Sequence, residues 1–256
     1  MIRHAVLPGD AALLLVAAGI GISACAPRRP ESTVVPGLEV RFERPARPDT
    51  VIYQRSLSRA GQDSSTGTRT VVMTALASTE PTLMQVEQRF PGRGGEIVDT
   101  AVAELGTLRA VAHESHQPTR VMRFAFRDNA AQGSVAFHTG TGDSTVAVDQ
   151  TLGGPLFDSN VIDLVVASLP LKAGFTAELP FFFYERGGRV MMRVTVRERA
   201  TVAFAKLGPR DVWVVSVAVP GAPATMWIDT KTHVPLRVRY DLPTASFTDE
   251  RITPLS

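Results

Sequence analysis

The chain has 256 residues, 44% of them apolar and 20% charged, a globular composition rather than a disordered one. Its 27 Lys and Arg against 25 Asp and Glu leave a formal charge of +2, too small to argue for a nucleic-acid partner. One cysteine excludes an internal disulfide and a Cys-rich zinc site.

Residues 1–24 read as a cleaved signal. Arg3 and His4 give a short basic start, and Ala11 to Ile22 is an uncharged apolar run of twelve residues. A transmembrane helix needs about 20, whereas a secretory h-region runs to 7–15. The run leads into Ile22, Ser23, Ala24 and Cys25. This order resembles the lipobox of bacterial lipoproteins. The resemblance implies that the Cys25 thiol receives a diacylglycerol, that the bond before it is cut, and that the freed amine is acylated. Two or more acyl chains anchor a protein stably where one does so marginally. Ala26, by analogy with the sorting rule for such proteins, points to the outer membrane.

Residues 25–48 hold the lipidated Cys25 and a proline-rich tether. Pro27, Pro30, Pro36, Pro45 and Pro48 oppose helix and central strand. As a coil the tether reaches roughly 25–30 Å, and fully extended about 75–80 Å.

From about residue 49 to 256 the pattern is that of a single β-rich domain. Met122, Phe124 and Phe126 alternate with Val121, Arg123 and Ala125. Val190, Met192, Val194 and Val196 alternate with polar positions, as do Leu236, Val238, Tyr240 and Leu242. A period of two with one wet face predicts antiparallel strands covered on one side. Val212–Val219 is apolar on both faces and predicts a central strand. Gly140-Thr141-Gly142-Asp143 and Gly187-Gly188 supply hairpin turns. About a dozen strands are expected between Thr50 and Leu242. One segment breaks the rhythm. Asp158 or Ser159 can cap a helix whose stripe is Val161, Ile162, Val165, Val166 and Leu169, ended by Pro170. The expected fold is mainly β, a curved antiparallel sheet or half-barrel with one short helix, about 158–169, packed on it.

The later part of the chain carries Leu169-Pro170-Leu171, then Lys172-Ala173-Gly174 opening a strand, paired strands through Val219, Trp227-Ile228-Asp229, a Lys231-Thr232 turn and Val234-Pro235-Leu236-Arg237. Over about residues 105–242 this order resembles an uncharacterised family of bacterial periplasmic β-sheet proteins, a domain of unknown function. That family is similar in architecture to the lipoprotein carriers of the outer-membrane sorting pathway, whose half-barrel holds acyl chains under a helical lid. The resemblance implies no catalytic residue.

Motifs that carry chemistry are few. His113 and His116 fall on opposite faces of a strand and so cannot share a metal, His138 and His233 stand alone beside turns, and all four read as solvent-exposed histidines near strand ends. No metal site, cofactor or catalytic residue is expected. Gly-x-Ser-x-Gly and phosphate-loop motifs are missing, and Asp99-Thr100-Ala101 lacks the glycine of an aspartic-protease motif. Phe181, Phe183, Met192 and Trp227 are candidates for an apolar ligand face, with core or packing roles as their alternative. Removing Lys172, Lys206 and Lys231 from the 27 basic residues leaves 24 arginines. Arg189, Arg193 and Arg197, with Arg199, are expected on one strand face as an anion-binding candidate, the alternative being a solvated sheet face.

The expectation is a non-enzymatic envelope lipoprotein, periplasm-facing and held by membrane lipid through Cys25, that binds an apolar or lipidic ligand. The alternatives are a structural or assembly subunit contacting an envelope protein, and a hydrolase on envelope material. A hollow space under the helix favours the ligand; a filled one favours a protein partner.

Overall fold

A computed structural model describes residues 33–34, 48–76, 82–127, 129–140, 142–184, 188–219 and 221–255. The lipobox, Ile22 to Cys25, lies outside the described residues. Of the tether, Thr33–Val34 form β1, a short strand rather than free linker.

Two antiparallel meanders make the sheet. The first runs β2 (Asp49–Arg59), β3 (Gln62–Leu76), β4 (Leu83–Gly92), β5 (Gly95–Glu104), β6 (Ala110–Gln117), β7 (Arg120–Arg127), β8 (Ala130–Thr139) and β9 (Gly142–Thr151). The second runs β11 (Thr176–Phe183), β12 (Gly188–Phe204), β13 (Gly208–Val217), β14 (Ala224–Asp229), β15 (Pro235–Leu242) and β16 (Ala245–Arg251). Between them lie β10 (Phe157–Asp158), a 3-10 turn (Ser159–Val161) and helix α1 (Ile162–Ser168). β16 pairs antiparallel with β2, so the two meanders join into one run of fourteen strands with β9 at one end. At the other end β1 and β10 add in parallel to β11. The sheet is open; β2 to β15 put fourteen strands in the stretch where about a dozen are expected, with β1 before it and β16 after Leu242.

The sheet rolls into a scroll that overlaps itself. Phe181 and Phe182 point to opposite faces of β11, as neighbours on a strand must. Phe181 enters the main core with Phe157. Phe182 meets Phe124 at 5.3 Å and Phe126 at 4.9 Å, two residues of the inner face of β7. The β7–β9 arm therefore wraps over the outside of β11. Two glycines permit this. A Cβ at Gly133 would stand 1.8 Å from the Arg123 carbonyl oxygen, where β7 and β8 approach at the bend. A Cβ at Gly188, at φ +105°, would meet the Gln150 side chain where the two ends of the sheet touch.

The helix segment plugs the concave face. Asp158 caps the turn by accepting from the Asn160 amide, and the first turn is 3-10 rather than α. Val161, Val165, Val166 and Leu169 are fully buried, and Ile162 nearly so. They pack on Val194, Val215, Met226 and Val238 from the sheet. Each such side chain contributes about 1.5–3 kcal/mol by leaving water. β13 is central and buried on both faces: Val215 and Val217 face the main core, Val212 an outer cluster with Phe204 and Leu236.

Two β-bulges alter the expected alternation. The register of β12 slips between Val196 and Glu198, so Arg199 pairs with Trp213 and leaves the face that holds Arg193. The expected single arginine face is thus broken at Arg197, because one extra residue reverses the parity of a strand. The second bulge, between Trp227 and Ile228, places Leu236 in the outer cluster while Val238 stays inside.

Candidate functional site

The apolar candidates fill the core rather than line a shared surface. Phe181 and Met192 are fully buried inside, and Phe183 packs beside them. Trp227 is on the other face, in the outer cluster, with the Arg237 guanidinium 5.5 Å from its ring. The arginine candidates hold intrachain partners. Arg189 donates to the Leu152 carbonyl at 3.0 Å and clamps the seam of the scroll. Arg193 pairs with Glu178 at 2.6 Å, and Arg197 donates to Ser216.

The histidines diverge as their spacing requires. His116 is exposed and pairs with Glu114 at 2.6 Å. Its hydrogen bond and that of Arg123 outweigh partial burial and hold the Glu114 carboxyl below its usual range. His113 corrects the expectation of an exposed ring: it is buried, and its Nδ1 lies 2.9 Å from Asp158. That carboxylate is committed on both oxygens, one to His113 and one to the turn amide. His138 pairs with Asp143 at the β8–β9 turn, and His233, at positive φ, reaches the Ala167 carbonyl at the end of α1. Among the described residues no group of three His, Cys, Asp or Glu could hold a metal, and no helix is long and apolar enough to cross a membrane.

A polar cavity of about 190 Å³ opens on the concave face beside the turn that precedes α1. Arg55 of β2, Arg69 of β3, Gln88 and Phe90 of β4, Asp99 of β5 and Tyr240 of β15 supply its sheet side. Ser159, Asn160, Ile162 and Asp163 supply the other. The register explains the convergence. Arg69 sits opposite Tyr53, and Asp249 opposite both Val238 and Arg55, on the face that carries the core. Asp163 stands beside the apolar stripe of α1 and meets Arg69.

The charges form a closed network. Arg55 binds Asp249 through two parallel bonds of 2.7 Å. Arg69 donates to Asp163 at 2.9 Å, to Gln88 at 3.1 Å and to Asp249 at 3.5 Å, with its guanidinium 5.3 Å from the Tyr53 ring. The Gln88 amide returns a bond to the Asn160 carbonyl. Burial alone would depress the Arg69 guanidinium; Asp163 and Asp249 reverse that and hold it above its usual value. Burial also raises the Tyr53 and Tyr240 hydroxyls, with Asp163 adding to it and Arg69 opposing.

Some polar groups remain unspent. The Asn160 Nδ2 is buried and has no hydrogen-bond partner. Sequence reasoning missed this site. Its signal was Asp163, a carboxylate inside an otherwise apolar helical stretch, which requires a cation opposite.

A model of the family described as a protein of unknown function (DUF3108) matches residues 57–250. That match reaches further towards both ends than the stretch of resemblance visible in the sequence. No curated protein matches the chain.

Proposed function

The chain belongs to the DUF3108 family, and from that premise we propose that it is a lipid-anchored bacterial envelope lipoprotein, periplasm-facing, whose β domain is a non-enzymatic binding module. The observation that carries the binding reading is the cavity of about 190 Å³ on the concave face, at the mouth of the scroll and beside the only α-helix among the described residues. A concavity in which a few polar groups converge is a starting point for a small-ligand site. The anchor rests on the lipobox pattern and on Cys25, with the tether carrying the domain away from the membrane.

An acyl chain is a poor fit to the concave face. Phe157, Val165, Leu169, Phe181 and Met192 already fill it, so a chain entering there must first displace α1. This moves the ligand from the apolar floor to the polar mouth. A second reading, an assembly subunit, has its own observation. β9 pairs with β8 on one side and with no described strand on the other, and Val146 is half exposed on it. Such an edge offers backbone groups for strand addition by a partner.

Native mass spectrometry of the full-length protein extracted in detergent tests both readings. A co-purifying small molecule supports the binding module, a stoichiometric protein supports the assembly subunit, and neither would leave the binding module without its main support. For the anchor, Cys25→Ala releases the protein from the membrane fraction; a variant that stays there overturns the lipobox assignment.

A further inference from the structure

Strand pairing sets where the tether leaves the domain. β1 lies parallel to β11, with Thr33 opposite Ala177. The chain before Thr33 therefore leaves past the Thr176 end of β11. Thr33 is eight residues from Cys25, so this link spans at most about 26–29 Å. β12 goes on in the same direction. Ala177 stands opposite Val194, and ten further residues carry β12 to Phe204, where its hairpin with β13 turns. At roughly 3.3 Å per residue that stretch is about 33 Å long. A link run straight out beside β12 ends short of the hairpin tip, so the tip meets the headgroups unless the domain leans away.

The charge at that end is mostly positive. The chain's three lysines are all exposed there: Lys172 before β11, Lys206 in the β12–β13 hairpin and Lys231 between β14 and β15. The turn holding Lys172 is joined to β12 by the Val196 amide, which donates to the Phe175 carbonyl. The turn holding Lys231 is joined to β13 by the Thr230 amide, which donates to the Asp211 carbonyl. Arg197 and Arg210 add to them, donating only to the Ser216 hydroxyl and the Leu207 carbonyl. Arg199 and Arg237 are neutralised by Asp211 and Glu250. Two further acids stand at this end of the second meander. Glu198 is exposed, and Asp229 is buried and spent on the turn amides of Lys231 and Thr232. Seven cations against four acids leave a surplus of three, larger than the +2 of the whole chain.

We propose that this end, with the β12–β13 hairpin foremost, docks on the anionic lipid surface in which Cys25 is anchored. The proposal rests on the lipid-anchor reading and adds an orientation to it. Each Lys or Arg near such a surface multiplies the docked population about fivefold. The attraction fades over about 10 Å at 0.1 M salt, so the short link is what brings it into range.

The test uses the full-length lipidated protein in vesicles of phosphatidylcholine, alone or mixed with phosphatidylglycerol. With Cys25 acylated, a cysteine placed by Ala205→Cys at the hairpin tip, or by Thr244→Cys at the opposite β15–β16 turn, is the one free thiol for a fluorophore. A quencher on the lipid headgroups reads how close each label lies. In the mixed vesicles the label at 205 is quenched and the label at 244 is not. Lys172→Gln, Lys206→Gln and Lys231→Gln together lower the docked-to-free ratio about a hundredfold, and most of the quenching at 205 is lost. Equal quenching at the two positions, or stronger quenching at 244, overturns the proposal and leaves the anchor standing. So does quenching at 205 that neither phosphatidylglycerol nor the triple variant changes. Mass spectrometry of the same sample reads the diacylglycerol on Cys25; its absence overturns the anchor and this proposal with it.

Discussion

Beneath α1 the concave face is apolar and full, whereas beside the turn that precedes the helix the same face is charged and open. Val165, Val166 and Leu169 lose all their exposed surface against the floor of the scroll. A few ångströms along the chain, Asn160 buries an amide with no acceptor, and Arg69 is held between two carboxylates. The floor is what a chain needs to fold: close-packed side chains with no polar group to satisfy. The mouth carries groups that folding alone does not require, because an apolar substitute for a buried ion network is often as stable. The contrast separates a structural half of the concavity from one that the proposed function would use.

The largest effect expected is at Arg69. Arg69→Met strips Asp163 of its cation and leaves Asp249 with Arg55 alone. Breaking a buried pair on one side costs about 3–5 kcal/mol. Denaturant titration checks it. The double variant Arg69→Met with Asp163→Leu should regain part of that loss, since no charge in α1 is then stranded. A double variant worse than the single one would mean that the network is the floor's main support and not a separate device.

Next in size is the floor itself. Met192 is fully buried in the main core. If the floor is filled, Met192→Ala destabilises by about 2–5 kcal/mol. A loss below about 1 kcal/mol would show slack around this position and return the lipidic ligand to the apolar half.

A third expectation concerns alkaline pH. Tyr53 and Tyr240 have hydroxyls raised above the ordinary value near 10 by burial first, with Asp163 adding to it. The folded state then keeps these protons when the unfolded chain loses them. Their contribution is whole below about pH 10 and falls as pH climbs from there. Stability against denaturant should therefore drop above about pH 10, and the combined Tyr53→Phe and Tyr240→Phe variant should flatten that drop. An equal drop in wild type and variant would place the alkaline transition elsewhere.

The contrast also marks what the sequence disclosed. Alternation exposed most of the sheet and the one short helix, because a covered face writes a period of two and a helical stripe writes 3.6. Met192, Val194 and Val196 face inward as that pattern requires. It could not reveal the bulges at Arg197 and Leu236, where one extra residue reverses parity without changing composition. The scroll was also hidden, since the contact of Phe182 with Phe124 joins residues 58 positions apart. The mouth was hidden for the same reason: Arg55, Arg69, Asp163 and Asp249 stand far apart in sequence and converge only through strand register. Only Asp163, alone in an apolar run, announced that a partner must exist.

The smallest stability effect is expected at Asn160. The Asn160 side chain donates to nothing, while its backbone serves Asp158 and Gln88. A buried donor left unmade costs about 1–3 kcal/mol. Asn160→Ala removes that cost, keeps both backbone bonds and gives up little packing. Its stability should stay within about 0.5 kcal/mol of wild type or rise above it. A variant that loses more than about 1 kcal/mol would place Asn160 with the structural half, and the boundary between floor and mouth would have to be drawn on the other side of the turn.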